Sequence, residues 1–162
     1  MIFNFRSYSK MLCNALDEGY LFSFFSNLGN TPELDDGGKV CLLRHDIDID
    51  VSAALAMAKL EHSIGVKSTY FFMLRSPVYN LFSRYNHQMV EEVLALGHEI
   101  GLHYDQGFDV ERGLTPEETK EQIDQEVLYL EQQFNASIAA VSFHQPGKLV
   151  LDATIKTGDL VN

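Results

Sequence analysis

Lys39-Val40-Cys41-Leu42-Leu43-Arg44-His45-Asp46-Ile47-Asp48-Ile49-Asp50 joins a short apolar run to a cluster of ionisable residues. An uninterrupted apolar run of this length is the mark of a strand covered on both faces, as strands of parallel sheets are. Residues 51–64 follow at helical spacing through Val51, Ala54, Leu55 and Ala58, and stop at Gly65. An aromatic strand is predicted over 68–74, a helix over 84–96 (Met89, Val93, Leu96) ending at Gly97, and a third strand over 98–103. Thr115-Pro116-Glu117-Glu118 offers an N-cap, proline at the first helical position and glutamate three after the cap. The helix it opens runs to about Phe134 on Ile123, Val127 and Leu130, and a fourth strand covers 138–143. Strand and helix alternate, which calls for an α/β fold with helices packed on a parallel sheet.

Upstream, residues 1–30 read as an amphipathic helical segment, with Tyr8, Met11, Leu12, Ala15, Leu16 and Gly19 on one stripe. A loop of turn formers, 30–38, separates it from the first strand. The chain, 1–162, reads as a single domain. Four strands are a thin sheet for this architecture, so the expectation is part of a longer domain, truncated at the C-terminus.

The 23 Asp+Glu against 12 Lys+Arg give a formal net charge of −11, which argues against gripping a nucleic-acid backbone or docking on anionic lipid. Cys13 and Cys41 form no paired motif and read as small buried hydrophobes in a reduced, cytoplasmic setting. No basic segment followed by an apolar run opens the chain, and no stretch approaches membrane-spanning length.

Parallel α/β proteins gather their chemistry at the C-terminal ends of strands. Here those ends carry His45, Asp46 and Asp48, then His103 and Asp105, then His144. Asp46 and Asp48, two positions apart in extended chain, point the same way and repel. A divalent cation removes that cost and lets one carboxylate ligate while the other acts as base. The competing helix-capping role falls to Asp50. Gly101 leaves room for another group to approach closely, and His103 supplies the kind of nitrogen that zinc takes. His144 lies in Phe143-His144-Gln145-Pro146-Gly147, where ligation, acid/base work and a structural role all remain open. The Gly147 amide is placed to face a developing oxyanion. Asp105 competes with His144 as a further ligand. His98 begins its strand and reads as a core histidine bonded to backbone. His62 and His87 read as solvated, and Tyr70-Phe71-Phe72 as core.

The ordered strings Arg44-His45-Asp46-Ile47-Asp48, Ser68-Thr69-Tyr70-Phe71-Phe72, Gly97-His98-Glu99-Ile100-Gly101-Leu102-His103 and Phe143-His144-Gln145-Pro146-Gly147 resemble the motifs of polysaccharide deacetylases, the NodB-homology, carbohydrate esterase type. The resemblance implies a parallel-strand distorted (β/α) barrel, only part of it present here, and a zinc-type divalent metal used to remove acyl groups from sugars. It implies Asp46 as base, Asp48 and His103 as metal ligands, and an oxyanion-binding amide at Gly147. The sequence departs from the pattern in four places. Ile47 splits the aspartates, and the second metal histidine falls on Gly107. His144 stands where arginine is usual, so it is expected to supply the missing ligand. No histidine follows His144 to serve as the late acid. Divergent members of this kind resemble proteins of bacterial surface-polysaccharide or O-antigen assembly, which implies an activated or lipid-linked sugar as substrate. The alternatives are a non-catalytic carbohydrate-binding or assembly protein on the same fold, or a small-molecule amidase.

Overall fold

The computed structural model describes residues 4–28 and 37–146. Its elements are α1 (Phe5–Asp17), β1 (Tyr20–Ser23), β2 (Lys39–Leu42), β3 (Arg44–Ile47), α2 (Val51–Ser63), β4 (Thr69–Phe72), α3 (Arg84–Ala95), β5 (Glu99–Asp105), α4 (Gly107–Arg112), α5 (Pro116–Phe134) and β6 (Val141–His144). The helices begin where their caps dictate. The Asp50 carboxylate accepts the Ser52 N–H at 2.8 Å, and Thr115 and Glu118 close a reciprocal capping box ahead of α5. A further capping box, Asn4 with Ser7, starts α1.

Among the described residues the strands form two parallel sheets, β1-β2 and β3-β4-β5-β6, the arc of a partial barrel. This corrects the expectation in two respects. The amphipathic helix ends at Asp17, and Tyr20–Ser23, which the 1–30 segment had included, forms an edge strand beside β2. The apolar run 39–42 belongs to that small sheet, while the larger sheet starts with the charged segment Arg44–Ile47 itself. Leu43 separates the two strands, and its carbonyl accepts the Thr69 N–H at 3.0 Å. An apolar pattern reports burial and carries no information on which neighbour a strand will pair with.

Side chains alternate across the sheet and divide it into two chemistries. Ile47, Phe72, Leu102 and Val141 face the helices, packed with Ala54 and Ala58 of α2, Val90 and Val93 of α3, and Ile123 and Leu130 of α5. Asp46, Phe71 and Gly101 stand in register on the opposite, inner face. The approach expected at Gly101 is made by Phe71: a Cβ on Gly101 would sit 2.5 Å from the Phe71 ring and 3.1 Å from the Ala140 carbonyl. Phe25 meets the same ring edge-on at 5.6 Å, so the barrel interior is filled directly below the strand ends. Gly101→Ala therefore overpacks a ring with a wall behind it. The expected cost is about 1–3 kcal/mol, a Tm lowered by roughly 2–10 °C. An unchanged thermal unfolding curve would show that the ring has room to move.

Tyr70, Phe71 and Phe72 are all buried. His98 is buried too, with Nε2 3.0 Å from the Ala58 carbonyl. His62 is exposed, whereas His87 is half-buried and stacked on Phe134 at 4.6 Å, a correction to its solvated assignment. Cys13 and Cys41 are only half-buried. No helix among the described residues is long and apolar enough to cross a membrane.

Candidate metal centre

Asp48 lies in the bend that follows β3, His103 within β5, and His144 at the end of β6. Parallel pairing brings these three ends to one rim. Asp48 Oδ1 stands 3.1 Å from His103 Nε2 and 3.3 Å from His144 Nδ1. The two ring nitrogens are 3.3 Å apart.

The protons on these atoms decide what the cluster can do. His103 Nδ1 lies 3.1 Å from the Ser142 carbonyl, which only accepts, so Nδ1 carries the ring proton of the neutral imidazole. Nε2 then presents a lone pair to the Asp48 carboxylate, another acceptor. Facing acceptors repel unless a cation or a proton lies between them. Backbone fixing of one nitrogen so that the other points at a metal is the usual arrangement of histidine ligands. Tetrahedral donors at zinc distances stand about 3.3 Å apart, and the separations found here, 3.1–3.3 Å, fit that spacing. One carboxylate and two imidazoles suit zinc and leave a fourth position open. His103 is 3% exposed and Asp48 is 48% exposed, so the rim opens to solvent on the aspartate side.

Asp46 is on the same face of β3. One carboxylate oxygen, Oδ2, accepts from Arg44 Nη2 at 2.9 Å. The other, Oδ1, is buried and has no hydrogen-bond partner among the described residues. Arg44 thus holds Asp46, and His45 turns to the helix side. There His45 Nε2 lies 2.7 Å from Oε1 of Glu61, a fully buried carboxylate on α2. Glu61 also accepts from Tyr8, from Ser68 at 2.5 Å and from Tyr70 at 2.8 Å. Burial pushes the Glu61 carboxyl up, but the His45, Ser68 and Tyr8 hydrogen bonds outweigh it and hold the group below the ordinary glutamate value. Burial and the Glu61 charge push the Tyr8 and Tyr70 phenols up, so both remain donors. Glu61 was missed in the sequence, although it continues the buried stripe Ala54, Ala58 at helical spacing.

Asp105 does not join the three. Its Oδ1 accepts the Gly107 N–H at 2.9 Å, which ties the carboxylate to the start of α4. Gly107 itself opens that helix. Beyond His144 the chain turns at Gln145, whose φ of 47° is in the left-handed region. Gly147, the expected oxyanion donor, lies outside the described residues.

A second ionic cluster lies on the helix side. Arg75 Nη2 is 2.6 Å from Glu126 Oε1, beside a cavity of about 310 Å³ that Phe82, Gln122 and Tyr129 also line. Burial pushes the Glu126 carboxyl up to about 7 against the pull of Arg75, with Asp109 and Asp105 adding to the rise.

No protein-family model matches the chain, and no curated protein matches it. Among solved structures it is similar to a Streptococcus pyogenes deacetylase, PplD, in complex with acetate. The TM-score is 0.63 at 20% identity, over 87% of this chain and 62% of that one. The likeness shows the shared fold, and the chain spans less than two thirds of that deacetylase's length.

Proposed function

We propose that this chain carries the metal centre of a hydrolase that removes an N- or O-linked acyl group from a sugar, with Asp48, His103 and His144 as ligands. Three potential ligand atoms meeting at 3.1–3.3 Å, with the His103 ring proton turned away to Ser142, carry this proposal. The deacetylase fold of the structural neighbour supports it. When bound, a zinc-type ion supplies a Lewis acid that polarises an acyl carbonyl and makes water easier to deprotonate.

The remaining chemistry belongs to the chain's own groups. Arg44 fixes the Asp46 carboxylate through Oδ2, and Asp46 is the base that takes a proton from an attacking water. The half-exposed Asp48 edge gives a sugar access to the rim, while Phe71 and Phe25 close the interior beneath it. The Gly147 amide belongs to the same proposal as oxyanion donor. The motif resemblance supports a sugar substrate in surface-polysaccharide or O-antigen metabolism, activated or lipid-linked and handled in the cytoplasm.

Elemental analysis of protein purified without chelator tests the proposal. Roughly one zinc-type ion per chain is expected. Asp46→Asn should retain the metal and lower acetate release from an N-acetylglucosamine oligosaccharide by about 10²–10⁴-fold. Metal content near zero that soaking does not restore would remove the metal centre. Loss of metal in Asp46→Asn would show that this carboxylate is a ligand instead of a base.

A further inference from the structure

The β3–β4 ladder contains an irregularity at the candidate site. Its register pairs Arg44 with Thr69 and Ile47 with Phe72, and the Thr69 N–H bonds the Leu43 carbonyl at 3.0 Å. Rungs of a parallel ladder recur every two residues, so the same pattern calls for the Met73 N–H on the Ile47 carbonyl. In its place stands the hydroxyl of Tyr79. It accepts from the Met73 N–H at 2.9 Å and donates to the Ile47 carbonyl at 2.7 Å. The phenol is inserted as a spacer where β3 and β4 part.

The Ile47 carbonyl belongs to the peptide that leads into Asp48. Asp48 itself lies past the strand end in a bend, outside the ladder that fixes Asp46. A hydrogen bond on that carbonyl sets the peptide plane, and the plane sets the direction in which Asp48 leaves the chain. We infer that Tyr79 is a positioning residue for the metal centre, its inserted hydroxyl holding the Ile47–Asp48 peptide so that Asp48 reaches His103 and His144.

The segment carrying Tyr79 is built to hold it still. Ser76 Oγ accepts the Val78 and Tyr79 N–H groups at 3.1 and 3.2 Å. Asn80 Oδ1 accepts the Phe82 N–H at 3.0 Å, and the Asn80 carbonyl accepts from the Asn86 side chain at 2.8 Å. These local turns brace the loop on both sides of the phenol, and the Asn86 bond ties it to α3. Burial, with the Asp48 charge adding and the Met73 amide opposing, pushes the Tyr79 hydroxyl up to about 12. It therefore remains a donor at neutral pH. The Tyr79 hydroxyl bonds the Met73 N–H and the Ile47 carbonyl, so its influence on the rim passes through Asp48.

Tyr79→Phe keeps the ring and removes the spacer. The inference rests on the metal-binding reading of Asp48, His103 and His144, so the experiment has one arm with metal and one without. With cobalt(II) as probe, the variant should bind about 10–100-fold more weakly than the parent and show an altered visible spectrum. Its Tm should stay within a few degrees of the parent, because Met73 N–H and Ile47 C=O can then pair directly. A lowered Tm with unchanged affinity and spectrum would make Tyr79 purely structural and overturn the inference. In a crystal structure of the metal-free variant, the Met73 N–H should have closed on the Ile47 carbonyl and Asp48 Oδ1 should have left hydrogen-bond range of His103. An unmoved Asp48 would overturn the inference independently of metal. A parent protein that takes up no cobalt, together with a displaced Asp48 in the variant, would sink the metal centre and leave the positioning role standing.

Discussion

Asp48→Asn should leave the chain unable to hold a divalent ion at concentrations that saturate the parent. The substitution keeps shape and removes the one formal charge among the three converging donors. Changes around a ligand already cost 10–100-fold in affinity. Loss of the charged ligand should therefore exceed about 100-fold, read by zinc titration against a chromophoric chelator. The same loss appears in thermal unfolding. Zinc at 100 times its dissociation constant should stabilise the parent by about 2.7 kcal/mol and the variant by almost nothing. Stripping the parent with chelator should reproduce the variant's lower Tm. Equal zinc stabilisation of parent and Asp48→Asn would place the ion elsewhere.

The largest stability effect is expected away from the rim, at Glu61. Glu61→Ala leaves Tyr8, His45, Ser68 and Tyr70 without the acceptor they share. Breaking a buried pair in this way costs about 3–5 kcal/mol, and Tm should fall by about 10 °C or more. The pH dependence has a definite sign. The Glu61 carboxyl is held below its ordinary value, because the hydrogen bonds from His45, Ser68 and Tyr8 outweigh the opposing effect of burial. Its ionised form then stabilises the fold fully above the unfolded glutamate value of about 4.3. That contribution is lost as pH falls through the folded value. The stability gap between parent and variant should therefore narrow as pH falls through that folded value. A gap that persists undiminished there would assign the effect to packing and not to the carboxylate.

The residues at the strand ends were legible because each signal was local. Asp50 and Thr115 mark where helices begin, Asp48 and His144 stand where strands give way to turns, and His103 lies within β5, which runs two residues beyond the expected end. The sequence also contained the reason for Gly101, although not the identity of the ring that fills its space. What escaped depends on partners chosen in three dimensions. Tyr20–Ser23 falls inside the 1–30 stretch read as one helical segment and acquires its strand role by lying beside β2. Glu61 reads as one more polar residue in the run Lys59-Leu60-Glu61-His62 until its neighbours from α1, β3 and β4 are in place. Tyr79 lies in a loop, and nothing local shows that its hydroxyl replaces a rung between two strands. Arg44 shares a face of β3 with Asp46 because side chains alternate along a strand, and only the direction of that face, into the barrel, needed the structure.

That face assignment limits how this segment can change length. Arg44 and Asp46 look inward, and His45 looks outward to Glu61. Lengthening β3 by a single residue would exchange the two sets: the imidazole would enter the rim, and the guanidinium and carboxylate would be driven under the helices beside a buried glutamate. Both sides of the sheet would fail together, although neither touches the other. Substitutions can be tested here one residue at a time, but insertions and deletions conserve the arrangement only in twos.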